Sequence, residues 1–251
     1  MDKWLVAGFW GLVSGSALVL GSLAGYYLKI SQKAVAVVMG FGAGVLISAL
    51  SFELMDEAFK TGGFVATATG FLGGSVTYSI ANYFVSKQGG KHRKRSGDKQ
   101  PAADEEGSGL GIALGALLDG IPESIAIGIS MIQGGAVSIA TVIAIFISNI
   151  PEGLSSTAGM KKAGRSKLFI FGVWGGIAII TSIASIMGYA VFAHLSSTVV
   201  AFTIAIAAGA ILNMLADTMI PEAFEEGHNI IGIITVIGFL SAFVLSKISG
   251  G

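Results

Sequence analysis

The sequence has no cysteine, few charged residues and only three histidines. Without cysteine the chain can form no disulfide framework, no thiolate metal site and no cysteine nucleophile. Charged residues make up 12% of the 251 residues, about half the usual share in a soluble domain. The 15 basic and 15 acidic residues give a formal net charge of zero. A basic surplus is therefore missing, which excludes nucleic acid as an expected partner.

Apolar residues and glycine dominate the composition instead. The hydrophobic fraction is 53%, the mean hydropathy is +0.79, and 37 glycines stand against 4 prolines. These values exclude a disordered chain and predict an all-α polytopic membrane protein, with residues 1–251 forming one transmembrane domain. A helix needs about 20 apolar residues to cross a bilayer. Stretches of that length predict eight transmembrane helices near residues 4–28, 34–55, 62–85, 109–131, 136–158, 167–193, 198–221 and 229–248.

The positions of the basic residues predict the orientation of these spans. Lys and Arg are enriched in the cytoplasmic connections of membrane proteins. If both termini lie outside, only Lys3, Lys60 and Lys247 lie outside with them, and the other twelve basic residues are cytoplasmic. Six of the twelve belong to residues 86–108, which are predicted to form a mobile cytoplasmic loop. The expected location is the cell membrane (an inner or plasma membrane), crossed several times, with both termini outside.

The sequence also contains an internal similarity. Residues 41–59 align without gaps on residues 206–224, at an offset of 165 and with six identities. The second and seventh predicted spans run in opposite directions, as an inverted-topology repeat requires. The fourth and fifth spans share Ile-Pro-Glu, at 121–123 and 150–152, and they too run in opposite directions. This pattern predicts a 3+2+3 inverted-repeat arrangement, in which three helices precede and three follow a central pair.

Acidic residues inside the predicted spans are the main indication of function. A carboxylate near the bilayer centre costs at least about 2.5 kcal/mol, and neighbouring carboxylates repel one another. No Lys or Arg is predicted at the same depth, so a bound cation would offset these costs. Protonated acids hydrogen-bonded between helices are the alternative, which suits one isolated residue better than several. The acids within the spans are Glu53, Asp119, Glu123, Glu152 and Asp217.

Their spacing indicates which of these residues act together. Asp119 and Glu123 are four residues apart, so they share one face of a helix. On the next helix Asn149 lies three residues before Glu152, and Ser148 lies four residues before it. Two neighbouring helices are therefore predicted to present oxygen atoms to a common site.

A proline directly precedes the glutamate on both of these helices. Pro122 and Pro151 have no backbone N–H, so the carbonyl groups of Leu118 and Ile147 are free for other partners. Free backbone carbonyls at membrane depth are tolerated where they line a cavity or coordinate an ion. A simple helix kink is the alternative, but a proline before a carboxylate on two neighbouring helices favours ion binding.

The segments around these prolines resemble those of the ZIP metal-ion transporters. Residues 149–153, with the sequence NIPEG, are similar to the family's NxPEG signature. Residues 119–128, with the sequence DGIPESIAIG, are similar to its fourth-span motif HNxPEGxAIG. The resemblance covers essentially the whole chain. It implies eight helices, external termini, a long cytoplasmic loop after the third span, an inverted repeat, and a metal route lined by the fourth and fifth helices.

The sequence departs from that family where metal ligands are expected. Asp119-Gly120 stands in place of His-Asn, Ser124 replaces a glycine, and Ser148-Asn149 stands where many members have His or Gln-Asp. The candidate ligands are thus all oxygen atoms. Imidazole suits zinc, whereas carboxylates and carbonyls suit harder cations such as manganese. The resemblance favours zinc as the transported substrate, manganese and iron are the alternatives, and no prosthetic group is expected.

These features predict a transporter, rather than an enzyme, that moves divalent metal ions from outside into the cytoplasm. Glu123 and Glu152 are the predicted central ligands. The full set of predicted metal-route residues is Asp119, Glu123, Asn149, Glu152, Ser148, Glu53, Asn213 and Asp217.

The expected partners are the divalent metal substrate and the lipid bilayer, and a homodimer is left open. Two other functions are also left open by the sequence. An intramembrane aspartyl hydrolase would pair Asp119 with Asp217 across a common site. A non-transporting membrane subunit or receptor would carry no metal flux.

Overall fold

The computed structural model describes residues 2–97, 99–105, 107–134 and 137–249, and within these ranges the chain is helical with no β-strand. The predicted start of the fifth span, residue 136, lies outside the described residues. The α-helices in the described ranges are α1 (Lys3–Tyr27), α2 (Gln32–Ala49), α3 (Met55–Lys87), α4 (Ser108–Gly134), α5 (Ile139–Lys162), α6 (Lys167–Phe192), α7 (Ser197–Met214), α8 (Ile220–Gly227) and α9 (Ile230–Ser249).

Serine residues begin four of these helices. In each case the serine lies one position before the helix, with extended backbone, and its side chain accepts a hydrogen bond from the backbone N–H three residues later. Such a bond satisfies one of the N–H groups that the first turn of a helix leaves without a partner. The four serines are Ser31, Ser138, Ser166 and Ser196.

Helices α2 and α3 form one helical stretch with two irregularities. A π-helix, Leu50–Leu54, joins them, and Gly63 leaves helical geometry with φ 72° and ψ −177°. Glycine adopts that conformation without the steric cost that a Cβ would bring. Seven helical stretches are long and apolar enough to cross a membrane when residues 32–87 are taken as one, within the described part of the chain.

The same irregularities recur 165 residues later. A second π-helix, Leu215–Met219, follows α7, and His228 after α8 has a positive φ of 49°. Leu50–Leu54 and Gly63 stand at the corresponding positions in the first half of the chain. The spacing equals the offset of the sequence similarity described above.

Close helix pairs meet at glycines. Helix α2 packs against α9, and α3 packs against α7. A Cβ at Gly44 would overlap the carbonyl oxygen of Thr235, and a Cβ at Gly209 would overlap that of Phe71. The absence of a side chain at these positions lets the helix backbones touch, as in membrane proteins generally.

Large apolar side chains cover the outside of the helices, while many polar ones lie inside. Exposed apolar side chains in this number mark a surface that contacts something other than water. Among the most exposed are Phe64, Val65, Leu72, Leu168 and Ile248. Together with the long apolar helices, this distribution is that of a multi-pass membrane protein.

Candidate metal centre

Three carboxylates lie at the centre of the helix assembly. Asp119 and Glu123 follow each other by one turn on α4, and each is 2% exposed; Glu152 on α5 is 5% exposed. Glu123 lies within electrostatic range of both other acids. The structure thus brings together the three acids whose spacing predicted a common site.

Arg93 binds the first of these carboxylates. Its Nε donates to Oδ2 of Asp119 and its Nη2 to Oδ1, each at 2.9 Å. The hydroxyl of Tyr78 on α3 donates to Oδ1 of Asp119 at 2.6 Å and accepts from Nη2 of Arg93 at 2.9 Å. Asn82, one turn further along α3, accepts from Nη1 at 2.9 Å. The two-pronged pairing of guanidinium with carboxylate fixes both partners in orientation as well as in charge.

Lys94 links the two helices of the centre. Its Nζ lies 3.2 Å from Oδ2 of Asp119 and donates to Oε2 of Glu152 at 2.9 Å. Its side chain is 1% exposed. One ammonium group therefore bridges a carboxylate of α4 and a carboxylate of α5.

The prediction that no basic residue lies at the depth of the acids is wrong. Arg93 and Lys94 come from the connection between α3 and α4, and both are fully buried. The expectation of a mobile solvated loop is also wrong for these two residues. Buried carboxylates require compensating charge, and the chain supplies it from a segment that is not itself a membrane span.

Two glycines of α4 make room for this connection. A Cβ at Gly115 would overlap the side chain of Arg93, and a Cβ at Gly111 would overlap the carbonyl oxygen of Gln88. These two glycines therefore let the connection lie directly against α4.

Both basic side chains stay charged in this environment. Burial by itself lowers the pKa of Arg93, but the carboxylate of Asp119 raises it above its ordinary value. Burial likewise lowers the pKa of Lys94, and the carboxylates of Asp119 and Glu152 raise it more. The carboxylates thus compensate the cost of burying the two cations.

The polar residues before Glu152 are engaged with neighbouring backbone. Asn149 is 4% exposed, and its Nδ2 donates to the carbonyl of Ser14 on α1 at 3.0 Å. Ser148 is 1% exposed and donates to the carbonyl of Ile145 at 2.9 Å. Both residues lie within about one turn of Glu152 on α5. Their described hydrogen bonds are made to backbone carbonyl groups.

Glu53 lies apart from the centre, in the first π-helix. It is partly buried, and its two carboxylate oxygens accept from the hydroxyls of Ser138, at 3.1 Å, and Ser246. These partners precede α5 and end α9, so Glu53 joins three elements at one end of the helix assembly.

The described hydrogen bonds of Asn213 are made with α3, and Asp217 lies in the second π-helix. The Nδ2 of Asn213 donates to the carbonyl of Ser75 at 3.1 Å and to the hydroxyl of Ser79 at 2.6 Å. Asp217 is exposed, whereas Asp119 is buried. The two aspartates that an intramembrane hydrolase would require are therefore in different environments.

The described residues hold no group of three or more His, Asp or Glu side chains close enough together to bind a metal ion. Lys94 offers a physical reason, because it occupies the position between Asp119 and Glu152 where a shared cation would bind. Sequence reasoning missed Arg93, Lys94 and Tyr78. The basic run at 91–95 was the available signal, since it is the densest positive charge in the chain.

An all-helical multi-pass membrane protein with a buried, charge-compensated carboxylate centre is the class that these features define. No protein-family model matches the chain. Zinc transporter ZupT from Clostridium perfringens (strain 13 / Type A) is 25% identical over 280 aligned residues, which cover 99% of this chain and 96% of the relative. Zinc transporter ZTP29 from Arabidopsis thaliana is 27% identical over 155 residues, covering 55% of each protein.

Both relatives are zinc transporters of the ZIP family. The resemblance to this family that the two Pro-Glu segments predict is therefore confirmed. The relatives are transporters and not enzymes, in agreement with the expectation of a non-enzymatic protein.

Proposed function

We propose that this protein carries divalent metal ions across the cell membrane into the cytoplasm, with zinc as the first candidate and manganese and iron as alternatives. The observation that carries the proposal is the cluster of Asp119, Glu123 and Glu152, which is buried within the helices and in which Asp119 and Glu152 are paired with basic side chains. A site that already binds positive charge in this way has the chemistry that a transported cation requires. Similarity to two zinc transporters supports the same function.

Glu123 and Glu152 are the proposed central ligands, with Asp119 completing the set. Asn149 and Ser148 would add neutral oxygen atoms. Because the amide nitrogen of Asn149 is bound to α1, its carbonyl oxygen is the atom proposed to coordinate. Three further residues are proposed to line or gate the route to this centre: Glu53, Asn213 and Asp217.

We further propose eight spans in a 3+2+3 inverted repeat, with both termini outside. A straight helix over residues 32–87 would be about 84 Å long, far more than a hydrocarbon core of about 30 Å. The break at Gly63 supports two spans in place of one. The recurrence of a π-helix and a positive φ at an offset of 165 residues supports the repeat. A homodimer stays a prediction.

The pairing of the helices supports the repeat as well. In the proposed repeat α1, α2 and α3 correspond to α6, α7 and α9, and α4 corresponds to α5. The contact between α3 and α7 is then equivalent to the contact between α9 and α2. The contact between α1 and α5 is likewise equivalent to the contact between α6 and α4. All four contacts are present. Rocking of one helix set against another around a fixed site is the proposed basis of alternating access.

Labelling of single cysteines tests the span count. The chain has no cysteine, so Lys29→Cys and His194→Cys each introduce one thiol at an exposed position between helices. Eight spans place these positions on opposite sides of the membrane, whereas seven spans place them on the same side. We expect a membrane-impermeant maleimide to label His194→Cys in intact cells and Lys29→Cys only after permeabilisation. Labelling of both, or of neither, in intact cells would contradict eight spans.

Uptake into proteoliposomes tests the transport function and its metal preference. The purified chain is reconstituted and offered zinc, manganese, iron, cobalt, cadmium and magnesium in parallel. We expect saturable uptake of zinc, because the similar proteins are zinc transporters. Manganese or iron should come next, because every candidate ligand is an oxygen atom. Protein-free liposomes are the control. If none of the metals enters faster than in that control, the chain is no transporter, and calorimetry then shows whether it binds metal as a receptor would.

A further inference from the structure

The connection between α3 and α4 enters the carboxylate centre with two basic side chains. Arg93 and Lys94 are both buried, and every one of their ion pairs described above is with Asp119 or Glu152. We propose that residues 93–97, the cationic plug, are an autoinhibitory element in which Arg93 and Lys94 take the place of the transported ion. This inference rests on the proposed function, since it concerns access to the same carboxylates.

The charge of the plug matches that of the cargo. Arg93 and Lys94 together carry a formal charge of +2, the same as one divalent metal ion. Lys94 also bridges Asp119 and Glu152 in the manner of a shared metal ion. Exchange of plug for metal therefore leaves the net charge of the centre unchanged, whereas departure of the plug alone would leave buried carboxylates without compensation.

The plug is held in place by groups that fit it closely. The hydroxyl of Ser155 donates to the backbone carbonyl of Lys94. The side-chain amide nitrogen of Gln100 shares its two hydrogens among the carbonyls of Arg93 at 3.1 Å, Arg95 at 2.9 Å and Ser156 at 3.0 Å. Three carbonyl groups gathered on one amide nitrogen fix the backbone of the plug against α5.

A second set of ion pairs holds the plug nearer to the surface. Arg95 and Lys99 both pair with Glu225 of α8. Beside them is a cavity of about 250 Å³, lined in part by Glu222 and Glu226. In the proposed topology this connection is cytoplasmic, so the plug closes the centre from the side on which metal would leave.

Metal and plug are therefore mutually exclusive occupants of one site. Metal binds only in the fraction of molecules whose plug is displaced, and its apparent affinity is reduced by that fraction. Weakening the plug should increase the affinity for metal. Loss of an ordinary structural ion pair would instead lower the affinity for metal, because an unfolded site binds metal less tightly.

Metal affinity of charge-neutral variants tests the exchange. Lys94→Met removes the bridging charge, and Lys91→Met removes the same charge from an exposed position in the same connection. We expect Lys94→Met to bind Zn²⁺ with a dissociation constant lower by about tenfold or more, and Lys91→Met to bind as the wild type does, in calorimetric titrations of the full chain in detergent. Equal or weaker binding by Lys94→Met, with a wild type that binds Zn²⁺, would overturn the plug.

A reversible tether provides a second test that leaves every charge of the plug in place. A Cβ at Gly97 would lie 3.2 Å from Nε2 of Gln32 at the start of α2, so cysteines at these positions are within reach of a short bis-methanethiosulfonate linker. We expect linked Gly97→Cys/Gln32→Cys to lose uptake of Zn²⁺ into proteoliposomes and to regain it after reduction by dithiothreitol. The single-cysteine variants treated with the linker are the controls.

The outcomes separate this inference from the proposed function. Unimpeded uptake by the linked double variant would overturn the plug and leave the transporter in place. A wild type that neither binds nor carries any metal of the panel would overturn the proposed function itself, and the plug with it.

Discussion

Glu123→Gln should abolish metal uptake while the protein remains folded. Glu123 is 2% exposed and lies one turn from Asp119, in electrostatic range of Glu152. Changing groups that merely orient a metal ligand lowers affinity or activity by about 10- to 100-fold, so loss of a direct ligand should cost at least about 100-fold. Zinc uptake by proteoliposomes with equal amounts of reconstituted protein measures the effect.

A change at Glu123 tests transport without removing the ion pairs of the carboxylate centre. The described ion pairs of Arg93 and Lys94 are made with Asp119 and Glu152, so they persist when Glu123 is neutral. Asp119→Asn would instead deprive a buried guanidinium of its charged partner, and a change of this kind costs about 3 to 5 kcal/mol. Asp104→Asn, at an exposed carboxylate of the same connection as the plug, is the matched control. Undiminished uptake by Glu123→Gln would contradict the assignment of the site.

The carboxylate centre could be predicted because it depends on short spacings within single helices. Asp119 and Glu123 share a helix face by their spacing, and Glu152 follows a proline in the same way as Glu123 does. Helical periodicity converts such spacings directly into geometry. Apolar length likewise located the helices, since the bilayer imposes a minimum on each span.

The basic partners could not be predicted in the same way. Arg93 is separated from Asp119 by 26 positions, and Lys94 from Glu152 by 58. No periodicity relates a connection to a helix at such distances, so a cluster of basic residues in a polar segment resembles any solvated loop. The sequence shows that the buried carboxylates need a compensating positive charge. It does not show that basic residues of the same chain provide this charge.

Gate residues show a further limit of spacing arguments. Glu53 and Asp217 are predicted to line or gate the route, and each of them lies in a π-helix of its own. A π-helix shifts the register of side chains that an α-helical pattern assumes. The hydrophobic pattern gives no sign of that shift, and so the directions of these two side chains could not be derived from it.

Adding one methyl group at Gly44 should destabilise the protein, whereas the same change at Gly232 should not. A Cβ at residue 44 would overlap the carbonyl oxygen of Thr235, so α2 and α9 would have to separate. Overpacking of this kind costs about 1 to 3 kcal/mol, and more where backbone is the obstacle. Around Gly232 on α9 no atom lies within 4 Å of the added carbon. Alanine there gains up to about 1 kcal/mol from helix propensity, so the two variants should shift stability in opposite directions.

Thermal unfolding of the detergent-solubilised variants measures both shifts. Gly209→Ala should behave as Gly44→Ala does, because its added carbon would overlap the carbonyl oxygen of Phe71 on α3. Equal losses at residues 44 and 209 are what two equivalent helix contacts of an inverted repeat would give. If Gly44→Ala and Gly232→Ala unfold at the same temperature, the close approach of α2 to α9 is wrong. If only one of Gly44→Ala and Gly209→Ala is destabilised, the two contacts are not equivalent and the proposed repeat loses its support in packing.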